Sequence, residues 1–308
     1  MILTPGQKES LLPVTTNHAQ LQSALVRHHE MKKKIQKDKK EYYDEEKDKK
    51  AREQYYRSID FDGNADEVMQ SLKDLLKKTH TNQVRYEPAE YVYPWVDLRP
   101  NGDLMNIYSG ENRTADVVIK EDFKASLQRK NMIDKLESHA GFNQLARIAD
   151  EFPYNCEHAV PQSWFNERMP MRGDIHHLFT CDPGCNSLRS NYPYHDFADY
   201  NPQRAGTKRV EDACGKAEDE LFEPEYGKGA AARAMLYFLI RYPDEIEQSH
   251  KDRIDMDLLK EWHRQFPPDH YEMHRNQAIY EIQGNRNPFI DYPKEMIHVY
   301  NRFDGFDI

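Results

Sequence analysis

An α+β fold, mostly helical, is predicted by the distribution of apolar residues along the 308-residue chain. Apolar positions recur at helical spacing in several stretches, and one segment is apolar nearly all round. The β-prone runs, by contrast, are few and short. No repeat or low-complexity linker divides residues 60–308, so these are expected to form one domain.

Taken in order, residues 1–27 read as loose or weakly helical, with Pro5 and Pro13 as breakers. Residues 28–57 alternate Lys, Glu, Asp, Arg, Gln and Tyr. Their apolar members, such as Met31 and Ile35, are too sparse for a continuous stripe. They are expected to form a solvated helix held by i,i+4 charge pairs, or a disordered arm. A competing expectation docks the arm on the core through Tyr42, Tyr43, Tyr55 and Tyr56. From Asn64 the pattern changes: Val68, Met69, Leu72, Leu75 and Leu76 lie on one helical face, with Lys77 and Lys78 at its negative end. Val84 to Val96 and Leu104 to Tyr108 are β-prone and flank Pro100-Asn101-Gly102-Asp103, which predicts a hairpin. Residues 119–149 read as helical with a break near Gly141. Phe152 to Val160 and Asp174 to Phe179 read as strands, and Asn186 begins or lies on a helix. Gly229 to Arg241 predicts a buried helix ending before Pro243. Amphipathic helices follow around Leu258–Phe266 and Tyr271–Gln283, the second stopped by Gly284.

Hydrophobic residues make up 38% of the chain and charged residues 31%, so a core is affordable along part of its length only. The formal net charge of −10 argues against a protein that coats nucleic acid. It leaves room for an enzyme with a local basic or metal-bearing site. No window of about 18 apolar residues exists to span a membrane. The N-terminus lacks the basic start and apolar run of a secretory signal, which predicts a cytoplasmic protein unless a signal has been removed.

The chemically informative segment is Asn155-Cys156-Glu157-His158-Ala159-Val160-Pro161, followed by Gly173-Asp174-Ile175-His176-His177 and Asn186-Ser187-Leu188-Arg189. Strand neighbours point to opposite faces, so Glu157 and His158 converge only if the strand end bends, which Pro161 permits. Glu and Asn oxygens are hard ligands suited to Mg²⁺ or Ca²⁺. A neutral histidine takes a proton from water near neutral pH. Together these describe metal-assisted phosphodiester hydrolysis.

The runs NCEHAVPQSW, GDIHHLF and CNSLRSNYPY resemble the endonuclease I family of ββα-metal (His-Me finger) nucleases. So do Phe222-Glu223-Pro224, Gly227-Lys228-Gly229, Ala232-Arg233-Ala234 and Gln283 to Asp291, in matching order from about residue 55 to 292. The resemblance implies a ββα-metal core embedded in a helical single domain over residues 58–308, behind a charged N-terminal extension over residues 1–57. It implies His158 as general base and one Mg²⁺, replaceable by Mn²⁺, on Glu157 and Asn186. It further implies DNA, and also RNA, as substrates cut without sequence preference to 5′-phosphate products. Arg-Ser-Asn at 189–191 and Ala159-Val160 depart from the family pattern without touching a ligand. Arg168 and Arg172 are candidates for a phosphate-gripping arginine.

Other readings stand beside these. Asp174, His176 and His177 could ligate Zn²⁺, whereas the resemblance makes them orienting residues. Arg189 could hold phosphate, or cap its helix and pair with a glutamate. Asn285 to Ile290 is explained by a glycine C-cap and a docking clip. Cys156, Cys181, Cys185 and Cys214 allow disulfides, a structural Zn²⁺ site with His195 in place of Cys156, or free thiols. The rival functions are a non-catalytic nucleic-acid-binding protein on the same fold and a zinc-organised interaction module.

Overall fold

The structure is a computed structural model, and it describes residues 15–135, 147–148, 151–200 and 213–303. The chain enters through Asn17, whose side chain accepts from the Gln20 amide while Gln20 bonds back to the Asn17 amide. That reciprocal cap starts α1 (His18–Lys37). Asp38 and Asp44 likewise cap α2 (Lys39–Tyr42) and α3 (Glu45–Tyr55).

Two expectations are corrected here. Residues 18–27 form a well-capped helix, firmer than the loose or weakly helical stretch expected, while residues 1–14 of that reading lie outside the described residues. The charged segment is helical, but it is docked on the core through Tyr42, Tyr55 and Tyr56, as the competing expectation had it, and is not solvated. Ala24, Leu25, Ile35, Tyr42, Tyr55 and Tyr56 are all buried. Tyr42 stacks on His274 with ring centroids 4.0 Å apart, and its hydroxyl donates to the Leu98 carbonyl at 2.9 Å. A tyrosine buries much area while keeping a polar handle, so a few of them dock a helix that has no continuous aliphatic stripe.

Asn64 caps α4 (Ala65–Thr79), whose buried face is the predicted Val68, Met69, Leu72 and Leu76. The predicted hairpin does not form. Pro88 opens a short α5 (Pro88–Tyr91) that continues into a π-helical turn over Val92–Val96. Val92, Tyr93 and Val96 are buried there, so tertiary burial overrides their strand propensity. The Pro100–Asp103 turn does form, with Arg99 N–H donating to the Asp103 carbonyl at 2.8 Å. It leads into β1 (Leu104–Met105), which pairs antiparallel with β2 (Asn112–Arg113) instead of the earlier run.

Helix α6 spans Ala115–Asp134; the expected break near Gly141 lies outside the described residues. Strand β3 is only Cys156–His158, and it pairs antiparallel with β4 (Leu178–Thr180) in the register Glu157 opposite Phe179. Asp174 to His177 is not strand. Asp174 caps a single 3-10 turn, Ile175–His177, by accepting from the His176 amide at 3.1 Å. Helix α7 (Pro183–Arg189) follows β4 with Asp182 as its cap. A hairpin of β5 (Gly215–Glu218) and β6 (Leu221–Pro224) precedes α8 (Lys228–Arg241), buried along nearly its whole length as its sequence predicts. Short α9 (Gln248–Lys251), then α10 (Met256–Gln265) and α11 (His270–Gln283), follow, with α10 packed against α8. Two clip helices, α12 (Pro288–Asp291) and α13 (Pro293–Tyr300), close the chain.

The β3–β4 pair lies between two apolar clusters. Phe179 packs into the one built around α8, while Cys156 and Leu178 pack into the one beneath α1. Strands of three residues are held by what surrounds them.

Candidate active site

Buried charges lock the strand pair. The Asp122 carboxylate accepts from the Asn155 amide at 2.8 Å, from its side chain at 2.9 Å and from the Tyr93 hydroxyl at 2.6 Å. Burial pushes its pKa up to about 6 against those bonds. On the other strand Asp97 accepts from both the amide and the hydroxyl of Thr180. Arg275 ties Asp97 to the carbonyls of Ile175 and Leu178.

Strand β3 ends at His158, and its last two residues both line one cleft of about 510 Å³ together with Asn186, Arg129, Gln162 and Arg172. Glu157 and His158, neighbours on the strand, thus line the same cleft. His158 Nε2 lies 3.0 Å from the Arg172 carbonyl oxygen. A carbonyl only accepts, so Nε2 carries the proton and Nδ1 keeps a lone pair. Burial, then the neighbouring His177 ring at 5.3 Å, holds the imidazole well below its ordinary pKa. It is neutral at neutral pH.

Glu157 is buried, and its Oε1 accepts from the Tyr108 hydroxyl at 2.7 Å. Arg189 Nε lies 3.3 Å from the same oxygen, an ion pair without hydrogen-bond geometry. Burial raises the carboxyl to about 7 despite Arg189 and Tyr108. The half-buried Asn186, on α7, donates through Nδ2 to the Cys156 carbonyl at 3.2 Å. That bond turns its Oδ1 away as a free acceptor. The cleft thus presents a carboxylate and a carboxamide oxygen, a hard donor set that fits Mg²⁺.

The remaining expected site residues divide. Arg172 lines the cleft and donates to Gln162 Oε1 at 3.0 Å. Arg189 also reaches the lining, but it is buried and donates to the carbonyls of Ala159 and Ser190, which favours its helix-pinning role. Arg168 is half-exposed outside the cleft and pairs with Glu245 at 2.9 Å. Asp174 and His176 are outside the cleft lining too. Asp174 is fully buried, accepts from Tyr237, Tyr242 and Gln283, and is held well below its ordinary pKa against its desolvation by the histidines around it. His176 faces the Asn285 carbonyl at 3.3 Å and the Tyr237 ring. These residues brace the turn that feeds β4. Tyr108 and Arg129 escaped the sequence reading: Tyr108 sat in a run read as hairpin, and Arg129 within a long helix.

Cys185 and Cys214 form a disulfide, while Cys156 and Cys181 are buried free thiols. The four cysteines therefore do not form a zinc site. Among the described residues one His/Asp cluster can coordinate a divalent cation, formed by His28, His29 and Asp116 away from this cleft.

Residues 65–294 match the family model described as Endonuclease I. The chain belongs to the endonuclease I family. Strands β3 and β4 and helix α7 lie within the matched residues and follow one another in the order β-β-α. An extracellular deoxyribonuclease of Aeromonas hydrophila is 36% identical over 127 residues, covering 39% of this chain and 50% of its own. A periplasmic deoxyribonuclease of the same organism is 32% identical over 123 residues, with 39% and 48% covered. An extracellular ribonuclease of Bacillus amyloliquefaciens is 34% identical over 135 residues, with 39% and 44% covered. The chain spans about half the length of these curated relatives.

Proposed function

We propose that this endonuclease I family member is a Mg²⁺-dependent, sequence-non-specific endonuclease that hydrolyses phosphodiesters of DNA, and also RNA, to 5′-phosphate products. The observation that carries the reading is the His158–Arg172 hydrogen bond, which leaves Nδ1 of His158 with a lone pair in the same cleft as the Glu157 carboxylate and the Asn186 carboxamide. In this reading Glu157 and Asn186 hold the Mg²⁺, for which Mn²⁺ substitutes. When bound, the cation supplies positive charge at the scissile phosphate and the leaving 3′-oxygen. His158 Nδ1 takes the proton from the attacking water. Tyr108 and Arg189 fix the Glu157 carboxylate, and Arg172 lends positive charge to the cleft wall.

The names of the relatives, deoxyribonucleases and ribonucleases, support nucleic acid as substrate. Lack of preference is supported by the burial of Arg275, Asn276 and Gln283 on α11, which keeps them from reading base edges. The Cys185–Cys214 disulfide supports work in an oxidising compartment outside the cytoplasm, in line with the extracellular and periplasmic relatives. Among the described residues no helix is long and apolar enough to cross a membrane.

Plasmid cleavage tests the reading. EDTA should abolish it, and Mg²⁺ or Mn²⁺ should restore it with unrelated DNAs reduced to smears. Restoration by Zn²⁺ alone would remove Glu157 and Asn186 as the ligand pair, and discrete bands would indicate a sequence-specific enzyme.

A further inference from the structure

His28 and His29 lie on α1, and Asp116 lies in the first turn of α6. One ligand atom from each falls within 4.8 Å of the others. His29 Nε2 is 2.9 Å from Asp116 Oδ2, an ordinary hydrogen bond on a half-open surface. The His28 side differs. His28 is 1% exposed, and its Nε2 stands 3.6 Å from Asp116 Oδ1, too far for a hydrogen bond. Asp116 Oδ1 is buried without a hydrogen-bond partner, a costly arrangement if nothing else binds there.

A bridging cation resolves the spacing. Two ligand atoms on one tetrahedral ion, each about 2.1 Å from it, lie about 3.4 Å apart. The observed 3.6 Å separation matches that value. Two imidazoles and one carboxylate suit Zn²⁺ among divalent ions, with a fourth position left for water. The nearby Lys32 ammonium is turned to Asp103 at 3.4 Å, so it does not compete for the carboxylate.

We infer that His28, His29 and Asp116 form a Zn²⁺ site that clamps the N-terminal helix α1 onto α6 of the nuclease body. Two of its three ligands lie before residue 65, where the family match begins, so the clamp is a device of this chain's own N-terminal segment. It stands apart from the catalytic reading, because none of its residues lines the cleft.

The test uses the full chain carrying Glu157→Gln, which removes the carboxylate of the catalytic cleft. After chelator treatment and dialysis, Zn²⁺ is added during calorimetric titration and thermal melting. The E157Q protein should bind one Zn²⁺ per chain, and its melting temperature should rise with Zn²⁺ concentration. Adding His29→Ala, at an exposed ring, or Asp116→Asn should weaken Zn²⁺ binding at least about tenfold and abolish the rise. Circular dichroism identifies any variant that fails to fold, and the second variant then decides. Equal Zn²⁺ binding by the parent and both variants, or no stoichiometric binding by E157Q, would overturn the site. Neither readout depends on DNA cleavage, so failure here leaves the nuclease reading standing, and the reverse also holds.

Discussion

The backbone carbonyl of Arg172, 14 positions beyond His158, accepts the Nε2–H of its imidazole at 3.0 Å. The tautomer of His158 is therefore set by main chain, on a turn (Met171–Gly173) that follows Pro170. A side-chain substitution at 172 leaves that bond in place while removing a positive charge that lowers the His158 pKa. At saturating Mg²⁺ the acid limb of kcat against pH should lie below 6.5, the ordinary histidine value. In Arg172→Ala it should move upward toward 6.5. A wild-type limb above 6.5, or one unmoved in the variant, would contradict the role of His158 as base.

Stability should follow the same buried histidines. His176, His263 and His274 are pushed down to about 4, with desolvation the largest cause in each. His28, His80, His158 and His177 are lowered by burial as well. Between the unfolded value near 6.5 and the depressed folded value, the unfolded chain binds more protons. Stability is then fully present above 6.5 and lost as pH falls toward 4. Four carboxyls raised by burial, Glu87, Asp122, Glu157 and Glu223, act in the opposite direction over much of this window. The seven histidines outnumber them, so melting temperature should drop from pH 6.5 to pH 4. A flat or rising profile would mean these histidines are protonated in the folded protein.

Reduction of the Cys185–Cys214 disulfide should reach the metal requirement as well as stability. The bond closes a 29-residue separation, and a loop of that size is worth about 3–4 kcal/mol in the chain-entropy picture. Cys185 immediately precedes Asn186 on α7, so reduction loosens the helix that presents the carboxamide. A reducing agent should lower the melting temperature and raise the Mg²⁺ concentration needed for half-maximal cleavage. Unchanged values for both would show that the bond neither stabilises the fold nor positions Asn186.

The N-terminal segment should be indispensable to the fold. Asp48 on α3 and Asp291 on α12 both bond Arg286 at 2.8 Å, with all three residues buried. Removing Asp48 leaves Arg286 with half its carboxylate partners, a loss on the order of 1–3 kcal/mol for Asp48→Ala by the cost of an unmade buried bond. Deleting residues 1–57 removes Tyr42 and Tyr55 in addition and should yield an insoluble or low-melting product. A truncated protein that melts near wild type would restore the appendage reading.

The site was more legible in sequence than the fold that supports it. Glu157, His158 and Asn186 sit in a short ordered motif, and the structure brings all three to one cleft. Helices α4 and α8 follow directly from apolar spacing. The failures share a cause: partners distant in sequence. Val92, Tyr93 and Val96 look like strand until Asp122 and the α1 cluster bury them as a helical turn. Asp48 looks like one more solvated acid until Arg286, 238 residues away, pairs with it. Tyr108 has no sequence mark of its role, which exists only because folding places its hydroxyl on Glu157.

Supercoiled-plasmid cleavage in saturating Mg²⁺ at neutral pH, comparing wild type with His158→Ala, tests the central claim most directly. The variant should fold and bind DNA as the wild type does, because the lost ring makes one hydrogen bond to a backbone carbonyl. Its turnover should fall roughly 10²–10⁴-fold, the usual contribution of a general base. A folded His158→Ala protein that cleaves plasmid at the wild-type rate would contradict the account.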